Sequence, residues 1–164
     1  VGTYGFHTWI VDDRSDPRVR REEYFVQTTA TESSDLEASF GERGVHKFLL
    51  MGEPAAIREA QHVVSSRFPE LVAVRSNETL CEIMVGGVSK AKGVELLCER
   101  YGVSPAEAVA FGDGYNDLDM LGAVGHSFAM ANAKYAVKKA GPDVTRWSNV
   151  ASGVARTLAS LFAL

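Results

Sequence analysis

With 164 residues, 46% of them apolar and 23% charged, the chain has room for one domain or two small ones with a real core. Its net charge of −4 gives no electrostatic case for nucleic acid or an acidic membrane surface. No stretch approaches the roughly 18 uninterrupted apolar residues of a membrane span, and no signal peptide is visible, so a cytoplasmic location is the default expectation. Cys81 and Cys98 lie far apart and fit no ligand spacing; they read as two buried thiols in a reducing compartment. The first residue is Val1 rather than Met, which suggests a fragment, or a processed or trimmed product.

Phe6 to Val11 reads as a strand, and Asp12 to Pro17 as a turn or loop. Tyr24-Phe25-Val26 is a second short strand candidate. Thr28 to Ser34 is polar and reads as a loop, and Asp35 is placed to cap a short helix through Phe40 that ends near Gly41 or Gly44. Val45 to Met51 looks like a buried strand. Pro54 opens a helix to about Phe68 with Ile57, Ala60, Val64 and Phe68 on one face. Leu71–Val74 and Leu80–Val85 are two more strands. This first half reads as a small α/β layer with antiparallel pairs.

Gly86-Gly87 is a plausible boundary, since paired glycines punctuate structure. Beyond it, helix and strand alternate. Ser89 caps a helix through Tyr101, with Val94, Leu97, Cys98 and Tyr101 inward and Gly102 at its end. Ala108–Phe111 is a strand, and a short helix from about Asn116 turns Leu118 and Leu121 inward. Ser127–Met130 is a strand, Lys134–Ala140 a helix and Asp143–Thr145 a short strand. A last helix, about Val150 to Phe162, is expected to bury Val154, Leu158 and Leu161. Alternation of this kind implies a parallel sheet covered by helices.

The chemistry is concentrated in Gly112-Asp113-Gly114-Tyr115-Asn116-Asp117. Two carboxylates and an amide occupy a glycine-softened turn at the end of an apolar strand, where ligands of open α/β sheets sit. A hard divalent cation such as Mg²⁺ needs only one or two carboxylates there. Gly112 and Gly114 are expected to permit backbone angles closed to other residues and to let an anion approach. The bland alternative is a shaped turn in which Asn116 or Asp117 caps the next helix.

Lys90 stands at a helix start, where cations are disfavoured by the dipole but anionic ligands are welcome. That oddity points to an anionic ligand, against the simpler reading of a solvent-facing lysine; Lys92 is the competitor and faces another side. Asn132 follows a strand and is placed either to hydrogen-bond a phosphate or its loop, or to cap the following helix. The four histidines show no ligand spacing, and Asp12-Asp13 reads as a solvated turn.

Gly-Asp-Gly-Tyr-Asn-Asp-Leu-Asp-Met-Leu resembles the fourth motif of the haloacid dehalogenase (HAD) superfamily, and Gly87-Val88-Ser89-Lys90 resembles its third. Ala129 to Ala133 and Ser148 to Ala155 resemble the tail of the Cof-type (cap class IIB) branch. The resemblance implies an α/β fold. Residues 1–86 would be an α/β cap that chooses the substrate, lacking its beginning. Residues 87–164 would be the C-terminal portion of a Rossmann-like core. It implies a Mg²⁺-dependent phosphatase acting on a small phosphorylated metabolite such as a sugar phosphate. Asp113 would be a direct Mg²⁺ ligand and Asp117 would orient metal-bound water or the metal loop. Lys90 would neutralise the transferring phosphoryl group, and Asn116 would contact the phosphate or shape its loop.

The chain also departs from the family. The Asp-x-Asp nucleophile motif and the Ser/Thr motif that precede the cap in these enzymes are not in this chain. The chain by itself is therefore expected to be inactive. Its core sheet is expected to carry an open edge and exposed apolar helix faces, and so to self-associate or to bind a complementing N-terminal segment. Two other readings stand beside this one. One is a noncatalytic Mg²⁺- and phosphate-binding regulatory domain. The other is a transport-ATPase phosphorylation domain, disfavoured because no membrane span follows the loop.

Overall fold

The computed structural model describes residues 1–163, apart from the side chain of Leu36. The chain forms two compact units that meet in sequence at Gly86 and Gly87. Together they make a mixed α/β protein.

In the first unit, β1 (Gly2–Gly5) and β2 (Thr8–Val11) form an antiparallel hairpin. Phe6, expected in the strand, instead makes the turn with a φ of 46°, and its partner strand β1 carried no recognisable pattern of its own. Helix α1 (Pro17–Val26) corrects the reading of Tyr24–Val26 as a strand. The aromatic and branched triplet favours a strand locally. Upstream, however, the Asp16 carboxylate accepts the Arg18 N–H at 2.8 Å and Pro17 sits at the first helical position, and together they start a helix that runs through it. The expected loop at 28–34 contains the two-residue strand β3 (Thr31–Glu32), parallel to β2. Helix α2 (Leu36–Phe40) is capped by Asp35, which accepts the Ala38 N–H at 2.8 Å.

Strand β4 (Lys47–Met51), helix α3 (Pro54–Arg67), and strands β5 (Leu71–Arg75) and β6 (Leu80–Val85) follow in the expected order. Phe68, expected on the buried face of α3, is its exposed C-cap. The sheet order is β3-β2-β1-β4-β6-β5. Register places Trp9, Tyr4 and Val11 on one face, where Val19 of α1 closes a core with Ala30. Cys81, Ile83 and Ala73 share the other face and pack on Ile57 of α3. Burial pushes the Cys81 thiol up to about 11, so it is an inert core group.

In the second unit, α4 (Lys90–Tyr101) starts after Ser89 and stops at Gly102, whose φ of 66° is the left-handed cap geometry. Strand β7 (Val109–Gly112), helix α5 (Leu118–Ala123), β8 (His126–Ala129), α6 (Tyr135–Lys139), β9 (Asp143–Val144) and α7 (Gly153–Phe162) complete it. The sheet is parallel in the order β7-β8-β9. Ala110, Leu121, Ala129, Met130, Ala133 and Val137 form its core, and the Phe111 and Phe128 rings stack at 5.3 Å. Its loops at 112–117 and 130–134 therefore leave the carboxyl ends of neighbouring parallel strands.

Two expectations about burial are corrected. Of the four residues assigned to the inner face of α4, only Cys98 is buried; Leu97 is 55% and Tyr101 74% exposed. Helix α7 begins at Gly153 rather than Val150 and buries Gly153 and Thr157, while Val154 and Leu161 are exposed. The apolar spacing is real in both helices. What is missing, among the described residues, is a layer to cover it. No described helix is long and apolar enough to cross a membrane.

Candidate functional site

The strand β7 ends at Gly112, and the chain then folds back on itself through a single 3₁₀ turn at Tyr115–Asp117. Glycine is needed at 112 for space: a Cβ there would lie 2.5 Å from the Asp117 Cβ. Gly114 is extended (φ −99°), so neither glycine adopts the special backbone angles that the sequence suggested. The returning Asp117 carboxylate is 6% exposed and accepts the backbone N–H groups of Asp113 and Gly114 at 2.8 and 2.9 Å through Oδ2. Its Oδ1 accepts Lys90 Nζ. Burial alone would raise the Asp117 pKa. The lysine and the two amides outweigh it, and the carboxyl is held below its ordinary value.

Lys90 reaches Asp117 because Ser89 caps α4 and sets the direction of its first turn; Ser89 Oγ accepts the Lys92 N–H at 3.2 Å. Lys92 points elsewhere and pairs with Glu95 at 3.0 Å. A residue the sequence reading did not single out also acts here. Asp119 Oδ2 accepts the Ala91 N–H at 3.2 Å, while its Oδ1 accepts the Met120 N–H at 2.8 Å. A carboxylate thus sits at the start of α4, where the helix dipole favours negative charge. The signal was an acid two residues past Asp117, but only the fold brings it to α4.

Asp113 is exposed, and Asn132 Nδ2 donates to its Oδ2 at 3.0 Å. Asn132 Oδ1 in turn accepts the Asn149 N–H at 2.9 Å, so this side chain bridges two loops and does not cap α6. Thr145, buried and also missed from sequence, fixes the same loop: its Oγ1 accepts the Ala131 N–H at 2.9 Å and donates to the Trp147 carbonyl at 2.7 Å. Asn116 lies half-buried in the 3₁₀ turn.

The structure therefore brings Lys90, Asp113, Asp117 and Asn132 into one hydrogen-bonded network at the carboxyl end of β7. Among the described residues, no group of three or more His, Cys, Asp or Glu side chains forms a ready metal cage. A cage of that kind suits Ca²⁺ or Zn²⁺. Mg²⁺ is held by one or two carboxylates together with waters and substrate oxygens. The donor set fits Mg²⁺ on those terms. Asp113 offers the accessible carboxylate, and Asp117, with both oxygens engaged, holds the loop and the lysine.

Comparison with known proteins gives the family to which this parallel sheet, acidic loop and helix-start lysine belong. The chain belongs to the haloacid dehalogenase-like hydrolase family, whose profile matches residues 2–158. It is 32% identical over 142 residues to the 5-amino-6-(5-phospho-D-ribitylamino)uracil phosphatase of Bacillus subtilis, covering 85% of this chain and 52% of that protein. Another phosphatase of the same name, from Escherichia coli, is 42% identical over 67 residues, or 41% of this chain and 25% of that one. A haloacid dehalogenase-like hydrolase from Bacteroides thetaiotaomicron superposes with a TM-score of 0.79 at 28% identity, over 98% of this chain and 60% of that one. The chain thus spans about half the length of the relatives it matches.

Proposed function

We propose that this chain is the cap and the C-terminal part of the core of a Mg²⁺-dependent, Cof-type phosphatase acting on a small phosphorylated metabolite such as a sugar phosphate. In this reading the first unit is the specificity cap and the second carries half of the phosphoryl-transfer site. The observation that supports it best is the arrangement around Asp117. One buried carboxylate holds Lys90 on one oxygen and the start of the Asp113 loop on the other, leaving the Asp113 carboxylate exposed. Phosphoryl transfer requires positioning and charge neutralisation rather than much covalent chemistry from the protein.

Asp113 would hold the cation, and Asp117 fixes the loop that would present it. Bound Mg²⁺ supplies Lewis-acid neutralisation of the phosphoryl oxygens. Lys90, paired with Asp117, would add positive charge toward the phosphoryl group, and Asn116 and Asn132 would orient the phosphate or its loop. The names of the relatives from Bacillus subtilis and Escherichia coli support a small hydroxylated phosphate ester as the substrate class.

In this reading the nucleophile and the Ser/Thr phosphate motif belong to the part of the core that precedes the cap in the family, and the chain alone is expected to be inactive. On the same reading the open edge of β7 and the exposed apolar residues of α4 and α7 are covered by self-association or by a complementing N-terminal segment. The test is phosphate release from ribose 5-phosphate and p-nitrophenyl phosphate by the 164-residue chain with Mg²⁺. Background rates are expected, and turnover abolished by Asp113→Asn would refute the inactivity. Reading the coding sequence ahead of Val1 separates enzyme from binding module. An in-frame apolar strand ending in Asp-x-Asp supports the enzyme, and a start codon at the boundary favours a noncatalytic Mg²⁺- and phosphate-binding domain.

A further inference from the structure

Helix α1 carries an unusual stripe. Arg18, Arg21, Glu22 and Phe25 follow the spacing of a buried helix face, yet three of the four are charged. That stripe faces the β5–β6 turn, and the two do not close on each other. They leave a cavity of about 140 Å³, lined by these four residues with Asn77, Thr79 and Leu80. All seven belong to the first unit, and none takes part in the acidic loop network of the second.

The walls are chemically mixed. The Arg18 guanidinium is already balanced by Asp16, with Nε–Oδ1 at 2.9 Å and Nη2–Oδ2 at 2.5 Å. Arg21 lies over the Phe25 ring at 5.5 Å and, among the described residues, makes no ion pair with a carboxylate. It is the cation open to an anion. Glu22 is half-buried between the sheet and the solvent, and burial raises its carboxyl above the ordinary range. Thr79 N and Oγ1 both donate to Asn77 Oδ1, at 2.8 and 2.9 Å, so the donor end of that amide is the part left for a ligand. On the same sheet face Lys47 pairs with Glu82 at 3.4 Å and lies 4.7 Å from the Tyr4 ring centroid. Polar groups thus line the ground where a purely structural helix would be sealed with apolar side chains.

Each wall has a natural complement. A single guanidinium matches one negative group. A carboxyl and an amide N–H₂ match hydroxyls, which donate to the first and accept from the second. The Phe25 and Leu80 surfaces match the C–H edge of a carbon chain. With one cation nearly offset by one carboxylate, a polyanion gains little here. We propose that the first unit carries its own pocket for a small polyhydroxylated organic anion, read by Arg21, Glu22 and Asn77. This goes beyond the phosphatase reading and does not depend on it.

The probe is D-gluconate, a hydroxylated monoanion without a phosphoryl group, titrated into the ¹⁵N-labelled 164-residue chain, with inorganic phosphate as the parallel ligand. Gluconate is expected to shift the amides of Arg18, Arg21, Glu22, Phe25, Asn77, Thr79 and Leu80 saturably. Arg21→Gln, an exposed change, is expected to weaken this roughly tenfold while the rest of the spectrum stays in place. Three results would each overturn the proposal: no saturable shift, equal shifts with phosphate alone, or unchanged gluconate binding by Arg21→Gln. Phosphatase activity enters none of these measurements, so failure here and failure of the enzyme reading are separable.

Discussion

The two units obey the same patterning rules and end in different states. In the first, a six-stranded sheet is covered on both faces, by α1 over Trp9 and Val11 and by α3 over Cys81 and Ile83. In the second, a three-stranded sheet ends at β7, and Leu97 and Tyr101 of α4 and Val154 and Leu161 of α7 are exposed. Amphipathic spacing shows which face of a helix seeks cover. It does not show whether the cover is in the same 164 residues. Leu97, Tyr101, Val150 and Leu161 are among the large apolar side chains that the second unit leaves exposed on or beside α4 and α7.

The sharpest way to break this contrast is a matched pair of truncations. Trp9→Ala in the first unit removes a side chain that is only 5% exposed and should cost about 3–5 kcal/mol. Leu161→Ser in the second removes one that is 49% exposed, and should change the stability of the chain by less than about 0.5 kcal/mol. Urea unfolding followed by amide exchange in each unit reads both. Sedimentation adds a second readout. If the bare faces cause self-association, Leu161→Ser lowers it. A Leu161→Ser cost as large as that of Trp9→Ala would mean that α7 is covered after all.

The next effect concerns the Asp117 network. Asp117→Asn removes the charge that Lys90 pairs with and weakens the acceptor of two backbone N–H groups. A loss of about 2 kcal/mol in the second unit is expected. The pH dependence has a definite sign. The folded pKa of Asp117 lies below the unfolded value of about 3.9, so its contribution is complete above that value and is lost as pH falls through the folded pKa. The wild-type second unit should therefore weaken on acidification below about pH 4, and Asp117→Asn should flatten that decline. In the first unit Asp16 is depressed to about 2 by Arg18, but that pair is exposed and should contribute little. Trp9 and Trp147 lie in different units, so fluorescence of single-tryptophan variants follows each one. Equal acid sensitivity of Asp117→Asn and wild type would contradict the role given to Asp117.

How much of this was legible beforehand depends on the range of the forces involved. Ser89 and Gly102, which bound α4, act within one helical turn and were readable. So was Asp35 before α2. The placement of Lys90, Asp113 and Asn132 at strand ends and a helix start was also readable, because alternation of helix and strand fixes where loops fall. Tyr24–Val26 has the local side-chain preference of a strand, but Asp16 and Pro17, upstream, commit the chain to a helix. Strand β1 was missed because Gly2–Gly5 has two glycines and becomes a strand only by pairing with β2 and β4. Asp119 and Thr145 were missed because their partners, Ala91 and Ala131, lie 28 and 14 residues away in sequence. Nothing local distinguishes such residues from ordinary surface or turn positions.

The smallest expected effect tests how Lys90 is aimed. Ser89 Oγ satisfies the Lys92 N–H at the start of α4, and a cap of this kind is worth about 1 kcal/mol. Ser89→Ala should cost that amount, whereas Ser89→Asp should recover most of it, because aspartate caps as well and favours the positive end of the dipole. The stability loss alone would be ordinary. The informative readout is Lys90 itself. If the cap directs its side chain toward Asp117, Ser89→Ala should also reduce the acid sensitivity assigned to that pair, and Ser89→Asp should restore it. If both variants leave the acid profile of the second unit unchanged, the lysine finds Asp117 without help from the cap, and the packing of α4 on α5 is what aims it.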